Sequence, residues 1–167
     1  MNNQIIGSVM VVGGGIAGIQ STLDLADSGY KVYMVEKTAS IGGVMAQLDK
    51  TFPTNDCSMC IMSPKLVEVG RHVNIELITL ADIQDVDGTK GDFTVRVHQR
   101  PRYVDMEKCI ACGICAEKCP KKIVDIYNAS IVKRKAIYVP YPQAVPLKYA
   151  IDPECECHCP GPWFQGV

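Results

Sequence analysis

The first third of the chain alternates short apolar runs with stretches that break them. Residues 8–12, SVMVV, are apolar and rich in β-branched side chains, which predicts a buried parallel strand. Residues 16–28 place Ile16, Ile19, Leu23 and Ala26 on one helical face and then meet Gly29, a helix stop. KVYMVE, residues 31–36, predicts a second strand. Further on, residues 64–70 can form a short helix and NIELIT a strand. ADIQDVDG and DFTVRVH then read as two antiparallel strands around the turn DGTKGD. Strands alternating with helices give an α/β class.

What breaks the pattern between the first strand and first helix is glycine. Gly13, Gly15 and Gly18 follow the strand in the G-x-G-x-x-G spacing. The first allows a tight turn, the second lets backbone approach a pyrophosphate, and the third lets helix and strand pack closely. The helix N-terminus offers free N–H groups and a partial positive charge to phosphates. Glu36 closes the second strand, 18 residues after Gly18, where it can accept hydrogen bonds from a ribose. Strand, helix, strand and acid in register predict dinucleotide binding, against the plainer reading of a glycine turn in an ordinary α/β unit. Past five intervening residues comes Gly42-Gly43. That order resembles the FAD domain of glutathione-reductase-like flavoproteins and favours FAD over NAD. The candidate cofactor residues are Gly13, Gly15, Gly18, Glu36, Lys37, Gly42 and Gly43.

A second chemistry stands in CIACGICAEKCP. Cys109, Cys112, Cys115 and Cys119, followed by Pro120, match the ferredoxin run C-x2-C-x2-C-x3-C-P, which predicts a [4Fe-4S] cluster. Zinc is the alternative, but structural zinc sites use separated cysteine pairs. In two-cluster ferredoxins the fourth cysteine ligates the other cluster. Cys119 therefore raises the question of a second cluster. The later cysteines Cys155, Cys157 and Cys159, with His158 among them, do not match a second ferredoxin run, so either one of them completes the first cluster or the second site is incomplete. Cys57 and Cys60 form a C-x-x-C pair, open to reading as a redox-active dithiol or as inert buried thiols. His72 and His98 read as structural, and Lys65 and Arg71 as a solvated helix face.

Composition narrows the class. The chain has 167 residues, 47% hydrophobic and 21% charged, which suits a globular protein. Its net charge of −1 gives no field toward nucleic acid or acidic lipid. No apolar run nears the roughly 20 residues of a membrane helix. The N-terminus has no basic n-region, and nine cysteines make an odd count. Together these predict a cytoplasmic chain whose thiols serve metal or redox chemistry rather than disulfides.

Taken together, GGVMAQLDKTFPTNDCSMC, SPKLVEVGRHVNIELIT, PRYVD before the cysteine run and KRKAIYVPYPQAVPLKYAID after it resemble HdrA, the flavin-and-cluster component of heterodisulfide reductase, and its relatives, over residues 8 to about 152. The resemblance implies a partial Rossmann-like FAD-binding domain of the thioredoxin-reductase/glutathione-reductase type with an inserted ferredoxin-like [4Fe-4S] domain. The expected division is residues 1–102 and 103–167. It also implies a cytoplasmic complex in which FAD exchanges electrons with [4Fe-4S] clusters and can split an electron pair between two branches. Its partners would be the other heterodisulfide reductase subunits, ferredoxin, and a hydrogenase or formate dehydrogenase as donor. Cys57 and Cys60 would then ligate a cluster together with cysteines from elsewhere. CSMCIMSPK is also similar to the disulfide segment of glutathione-reductase-like enzymes, so a pyridine nucleotide-disulfide reductase using Cys57 and Cys60 is one alternative. A non-catalytic cofactor or scaffold module is another. After Asp152 the sequence PECECHCPGPWFQGV departs from the family's second cluster motif, and the chain reads as an N-terminal portion.

Overall fold

The computed structural model describes residues 7–155. They fall into two units. The first runs to Pro101 and takes back Gln143–Pro146. The second holds Arg102–Pro142 and the residues from Leu147 onward. The return of four residues is too short to leave a periodic signal, which is why the sequence division keeps 103–167 in one piece.

The first unit begins β1 (Ser8–Val12), α1 (Ile16–Asp27) and β2 (Lys31–Glu36). A short 3-10 turn at Gly43–Gln47, α2 (Ser58–Arg71) and β3 (Ile75–Thr79) follow. The three strands form one parallel sheet in the order β1-β2-β3. Val32 and Met34 of the central strand are fully buried, as a parallel strand covered by helices requires. Helix α1 buries Ile19, Thr22, Leu23 and Ala26. Ile16, expected on that face, is 36% exposed because it opens the helix at the glycine turn. Helix α2 packs Met62, Leu66 and Val69 into the same core.

Two elements are longer than their patterns suggest. Helix α2 starts six residues before the expected 64–70, because Cys57 caps it and Ser58 is fully buried. Strands β4 (Ala81–Thr89) and β5 (Asp92–Gln99) pair down to Thr89↔Asp92, so most of DGTKGD lies inside the ladder and only Lys90 and Gly91 turn. Gly91 takes φ +93, which suits a two-residue hairpin turn.

The second unit contains α3 (Ile114–Lys118) and two short antiparallel pairs. These are β6 (Lys122–Val124) with β7 (Lys133–Lys135), and β8 (Ile137–Tyr138) with β9 (Ala150–Ile151). One buried apolar cluster joins Cys119, Ile123 and Ala136, with Ile137 and Cys155 packed against them, and Tyr141 and Ala150 are buried as well. Arg134 adds a polar tie. Its guanidinium lies 3.3 Å from the centroid of the Tyr138 ring and is paired with Asp125 and Asp152, both buried. A planar, weakly hydrated cation suits such a stacked and bidentate position.

Candidate functional site

In the first unit the chain turns sharply after β1. Gly13 takes φ +101, and its N–H donates to the Val35 carbonyl at 2.8 Å. A Cβ on Gly18 would stand 1.9 Å from the Gly13 carbonyl oxygen, so helix and turn can approach only without it. A Cβ on Gly15 meets nothing within 4 Å, and Gly15 holds an ordinary φ of −76°. Its requirement for glycine does not come from the protein's own packing. The space beside it is open, which fits a cofactor approaching the backbone. Helix α1 has no side-chain cap and no acidic residue in its first turn. Its N-terminal N–H groups and positive dipole end therefore meet no counter-charge from the helix's own side chains, which fits a pyrophosphate.

The carboxylate of Glu36 ties the loops together. It accepts from the Gly14 N–H at 2.6 Å and from the Thr38 N–H and hydroxyl at 2.7 and 2.8 Å. A carboxylate has about four acceptor positions, so one remains for a ribose hydroxyl. The Gly42 N–H donates to the Gly14 carbonyl at 2.7 Å, and Gly42 and Gly43 take φ +136 and +57. A Cβ on Gly43 would reach 3.0 Å from Gly15 Cα. The glycine pair thus lies against the glycine turn. Lys37 is exposed, and its carbonyl accepts from the Arg100 guanidinium.

Sequence reasoning passes over three residues here. Gly14 stands at a free position of the fingerprint, yet a Cβ on it would sit 2.4 Å from Ile41 Cγ2. Thr38 and Ile41 hold the Glu36 carboxylate and the glycine turn in place. The run of three consecutive glycines is the available signal for the first.

Cys57 is the N-cap of α2, and its sulfur accepts from the Cys60 N–H at 3.3 Å. Both thiols are exposed. Hydrogen bonding, first from the Cys60 thiol and then from its N–H, holds the Cys57 thiol below its usual range. The same contact raises Cys60. His72 caps the other end of α2, lies 3.3 Å from Asp27, and accepts the Asn74 N–H, a structural role. Lys65 donates to Gln20 and Arg71 is exposed.

In the second unit the cysteine run divides. Burial raises the Cys115 thiol, and Cys109 and Cys112 raise it further, so the three lie within electrostatic reach of one another. Tyr149 stands among the same three: burial raises its phenol first, then Cys115, Cys112 and Cys109. Its N–H donates to Cys109 Sγ at 3.5 Å. Ala111 at φ +57 and Gly113 at φ +88 bend the backbone between these cysteines. A non-glycine residue in that region marks a constrained loop. Lys148 donates to the Cys109 carbonyl at 2.7 Å. Arg102 is half-buried, which lowers its pKa, while Tyr138 and Cys109 act to keep it charged. A cation there suits a negatively charged cluster.

Cys119 ends the run in an apolar setting. It is buried beside Ile123 and Ala136, with Cys155 packed against the same cluster. The three-plus-one division is the one two-cluster ferredoxins use. Cys157, His158 and Cys159 lie outside the described residues. Among the described residues, no three His, Cys, Asp or Glu side chains gather closely enough to hold a single metal ion. No described helix is long and apolar enough to cross a membrane.

Residues 8–112 match the family of FAD dependent oxidoreductase, and residues 102–125 match a 4Fe-4S binding domain. The chain is 57% identical over 149 residues to an iron-sulfur HdrA protein of the CoB--CoM heterodisulfide reductase of Methanopyrus kandleri, covering 89% of this chain and 22% of that protein. It is 55% identical to the HdrA protein of the H(2):CoB-CoM heterodisulfide,ferredoxin reductase of Methanothermobacter marburgensis, over 90% of this chain and 23% of that one. The chain therefore spans about a fifth of the length of the relatives it matches. Among solved structures, thioredoxin reductase of T. acidophilum is similar with a TM-score of 0.45 at 18% identity, over 54% of this chain and 30% of that one. With the glycine turn, the Glu36 tie and the ferredoxin run in place, the chain belongs to the FAD-dependent oxidoreductases, as an iron–sulfur flavoprotein carrying FAD and a [4Fe-4S] cluster and related to the HdrA component of heterodisulfide reductase.

Proposed function

We propose that this chain is an electron-transfer portion of a heterodisulfide-reductase-type complex. One observation carries the reading: a single chain joins an open glycine turn at a helix N-terminus to a unit that carries a ferredoxin cysteine run matching a 4Fe-4S binding domain. In this reading the N–H groups at the start of α1 hold the pyrophosphate. Gly15 leaves it room, Gly13 and Gly18 shape the turn, and Gly42 and Gly43 keep side chains away from it. Glu36 fixes the turn and offers its remaining acceptor position to the ribose, with Lys37 next to it. Cys109, Cys112 and Cys115 hold one cluster, and Cys119 beside Cys155 points to a second. When bound, FAD supplies exchange between paired and single electrons, and a cluster takes electrons singly. Arg102 and the Tyr149 N–H temper the negative charge of the Cys109 ligand.

The partners in this reading are the other subunits of such a complex, ferredoxin, and a hydrogenase or formate dehydrogenase as donor. Names of the relatives support the class, since they include ferredoxin, H(2) and formate. Electron bifurcation at the flavin belongs to the same proposal. The test is anaerobic purification with a visible spectrum and counts of flavin, iron and sulfide. The expected result is FAD plus iron and sulfide in equal amounts, with Cys112→Ala losing about four iron atoms. Equal iron in variant and wild type, or stoichiometric zinc in its place, would sink the cluster assignment. Recovery of NAD in place of FAD would sink the flavin one.

A further inference from the structure

We propose that Arg100 is a positioning residue for the adenosine end of FAD, aiming the Glu36 carboxylate at the ribose through a single peptide group. This role rests on the reading of Glu36 as the ribose acceptor and adds a second residue to it.

The group is the Lys37–Thr38 peptide. Its carbonyl accepts from the Arg100 guanidinium, and its N–H donates to Glu36 Oε1 at 2.7 Å. The bond is trans, so the group is planar and its C=O and N–H point in opposite directions and turn together. A cation fixed on the carbonyl side therefore sets the direction of the N–H on the carboxylate side. It also polarises the peptide, which strengthens the hydrogen bond that the N–H gives. The Thr38 hydroxyl follows the same backbone and donates to the same oxygen at 2.8 Å. Glu36 Oε2 accepts from the Gly14 N–H at 2.6 Å. With both oxygens held in this way, the remaining acceptor position has one direction.

Arg100 is itself well placed to hold that peptide. Glu36 and Thr79 are register partners at the ends of β2 and β3, and β4 starts two residues later. The Arg100 N–H donates to the Leu80 carbonyl at 2.7 Å, and the Leu80 N–H donates to the Thr38 carbonyl at 3.0 Å. The Gln99 side chain donates to the Thr79 carbonyl at 3.1 Å. Arg100 Nε lies 3.4 Å from Asp82 Oδ2. A planar guanidinium can face a carbonyl with one arm and a carboxylate with Nε at the same time. The root of the β4–β5 hairpin is thus tied to the loop that carries Glu36. Arg96, on the same hairpin, instead faces Asp85 at 3.6 Å with its side chain mostly exposed.

The test uses the anaerobically purified 167-residue chain with its FAD. The chain is equilibrated with equal excess amounts of FAD and of an FAD analogue lacking the 2′-hydroxyl of the adenosine ribose. Flavin kept after gel filtration is then identified by mass. The ratio is read among bound molecules, so a variant that only holds less flavin leaves it unchanged. Wild type is expected to prefer FAD about tenfold, as one hydrogen bond to a charged acceptor gives. Arg100→Leu and Glu36→Gln should each lower the preference to about threefold or less. Arg100→Lys keeps a charged donor and should regain most of it. Arg96→Leu, the same change on the same hairpin, should keep the wild-type ratio. An Arg100→Leu chain that keeps the full preference while Glu36→Gln loses it overturns the role of Arg100 and leaves that of Glu36 standing. A wild type with no preference overturns the reading of Glu36 and the role of Arg100 with it. Equal losses in Arg100→Leu and Arg96→Leu overturn the role too, by tracing the effect to the hairpin as a whole. Asp82→Asn, which leaves Arg100 but loosens it, should give a ratio between those of wild type and Arg100→Leu. An unchanged ratio there overturns the proposal even where Arg100→Leu holds no flavin.

Discussion

Gly15 and Gly18 have equal standing in a glycine fingerprint, but their surroundings differ. An alanine at Gly18 would place its Cβ 1.9 Å from the Gly13 carbonyl oxygen, in contact with backbone that cannot yield. At Gly15 the same change meets no neighbour within 4 Å and needs no unusual φ. Gly18→Ala is therefore expected to destabilise the chain by about 3 kcal/mol. Gly15→Ala should cost about 1 kcal/mol or less, as a poorer helix cap. If a pyrophosphate fills the space beside Gly15, that milder variant should still lose flavin. Thermal melts of the two variants, with flavin counted after gel filtration, separate the effects. A Gly15→Ala chain that keeps full flavin would show that the space is not the cofactor's. The places of Gly13 and Gly18 in the turn and of Glu36 at the end of β2 are legible in the sequence because they follow from spacing. Gly14 is not, because its need for glycine comes from Ile41, far along the chain, and no local template contains that contact.

Helix α2 shows what periodicity misses. From Pro64 onward its apolar spacing is plain, and proline is at home in a first turn, so the pattern puts the start there. The start instead depends on Cys57 as cap and on Ser58 buried against the chain at Leu48 and Asp49, contacts made outside the helix. The hairpin β4–β5 is legible as a pair, but its turn reads too wide because Asp and Gly look like loop residues even where they pair. The segment Gln143–Pro146 has the least sequence signal and a clear structural role. The Ile41 N–H donates to the Val145 carbonyl at 2.9 Å, and a Cβ on Gly70 would touch Val145 at 2.9 Å. Ala144 is only 1% exposed, while Gln143 is exposed. Ala144→Asp should therefore destabilise the first unit by about 3 kcal/mol, as a buried unpaired carboxylate. Gln143→Asp next to it should stay within about 0.5 kcal/mol. Proteolysis followed by mass mapping reads the difference as cleavage within residues 7–101. Equal resistance in the two variants would remove 143–146 from the first unit's core.

The two units hold themselves together by different means, and this sets how the whole molecule should respond to losing its metal. The first has a continuous apolar core in which Ile19, Val32, Met34, Ile41, Met62 and Leu66 are all fully buried. Such burial stabilises at roughly 25 cal/mol per Å² without any cofactor. The second buries fewer apolar side chains, Cys119, Ile123, Ala136, Tyr141 and Ala150 among the described residues, and carries the Arg134 ion pairs. Buried ion pairs recover little beyond their desolvation cost, so this unit has little to spare. Its Cys115 thiol is raised by burial and by its neighbours, so ligation there, which needs the thiolate, couples metal binding to loss of a proton. Cluster binding is therefore folding free energy for the second unit and not for the first. Removing iron with a chelator should release the amides of β6, β7, β8 and β9 to hydrogen exchange. Those of β1, β2, β3 and α1 should stay protected and flavin should stay bound. A chain that loses protection in both units at once on iron removal would show that the units share one stability. A chain that loses it in neither would show that the Arg134 pairs suffice without the cluster.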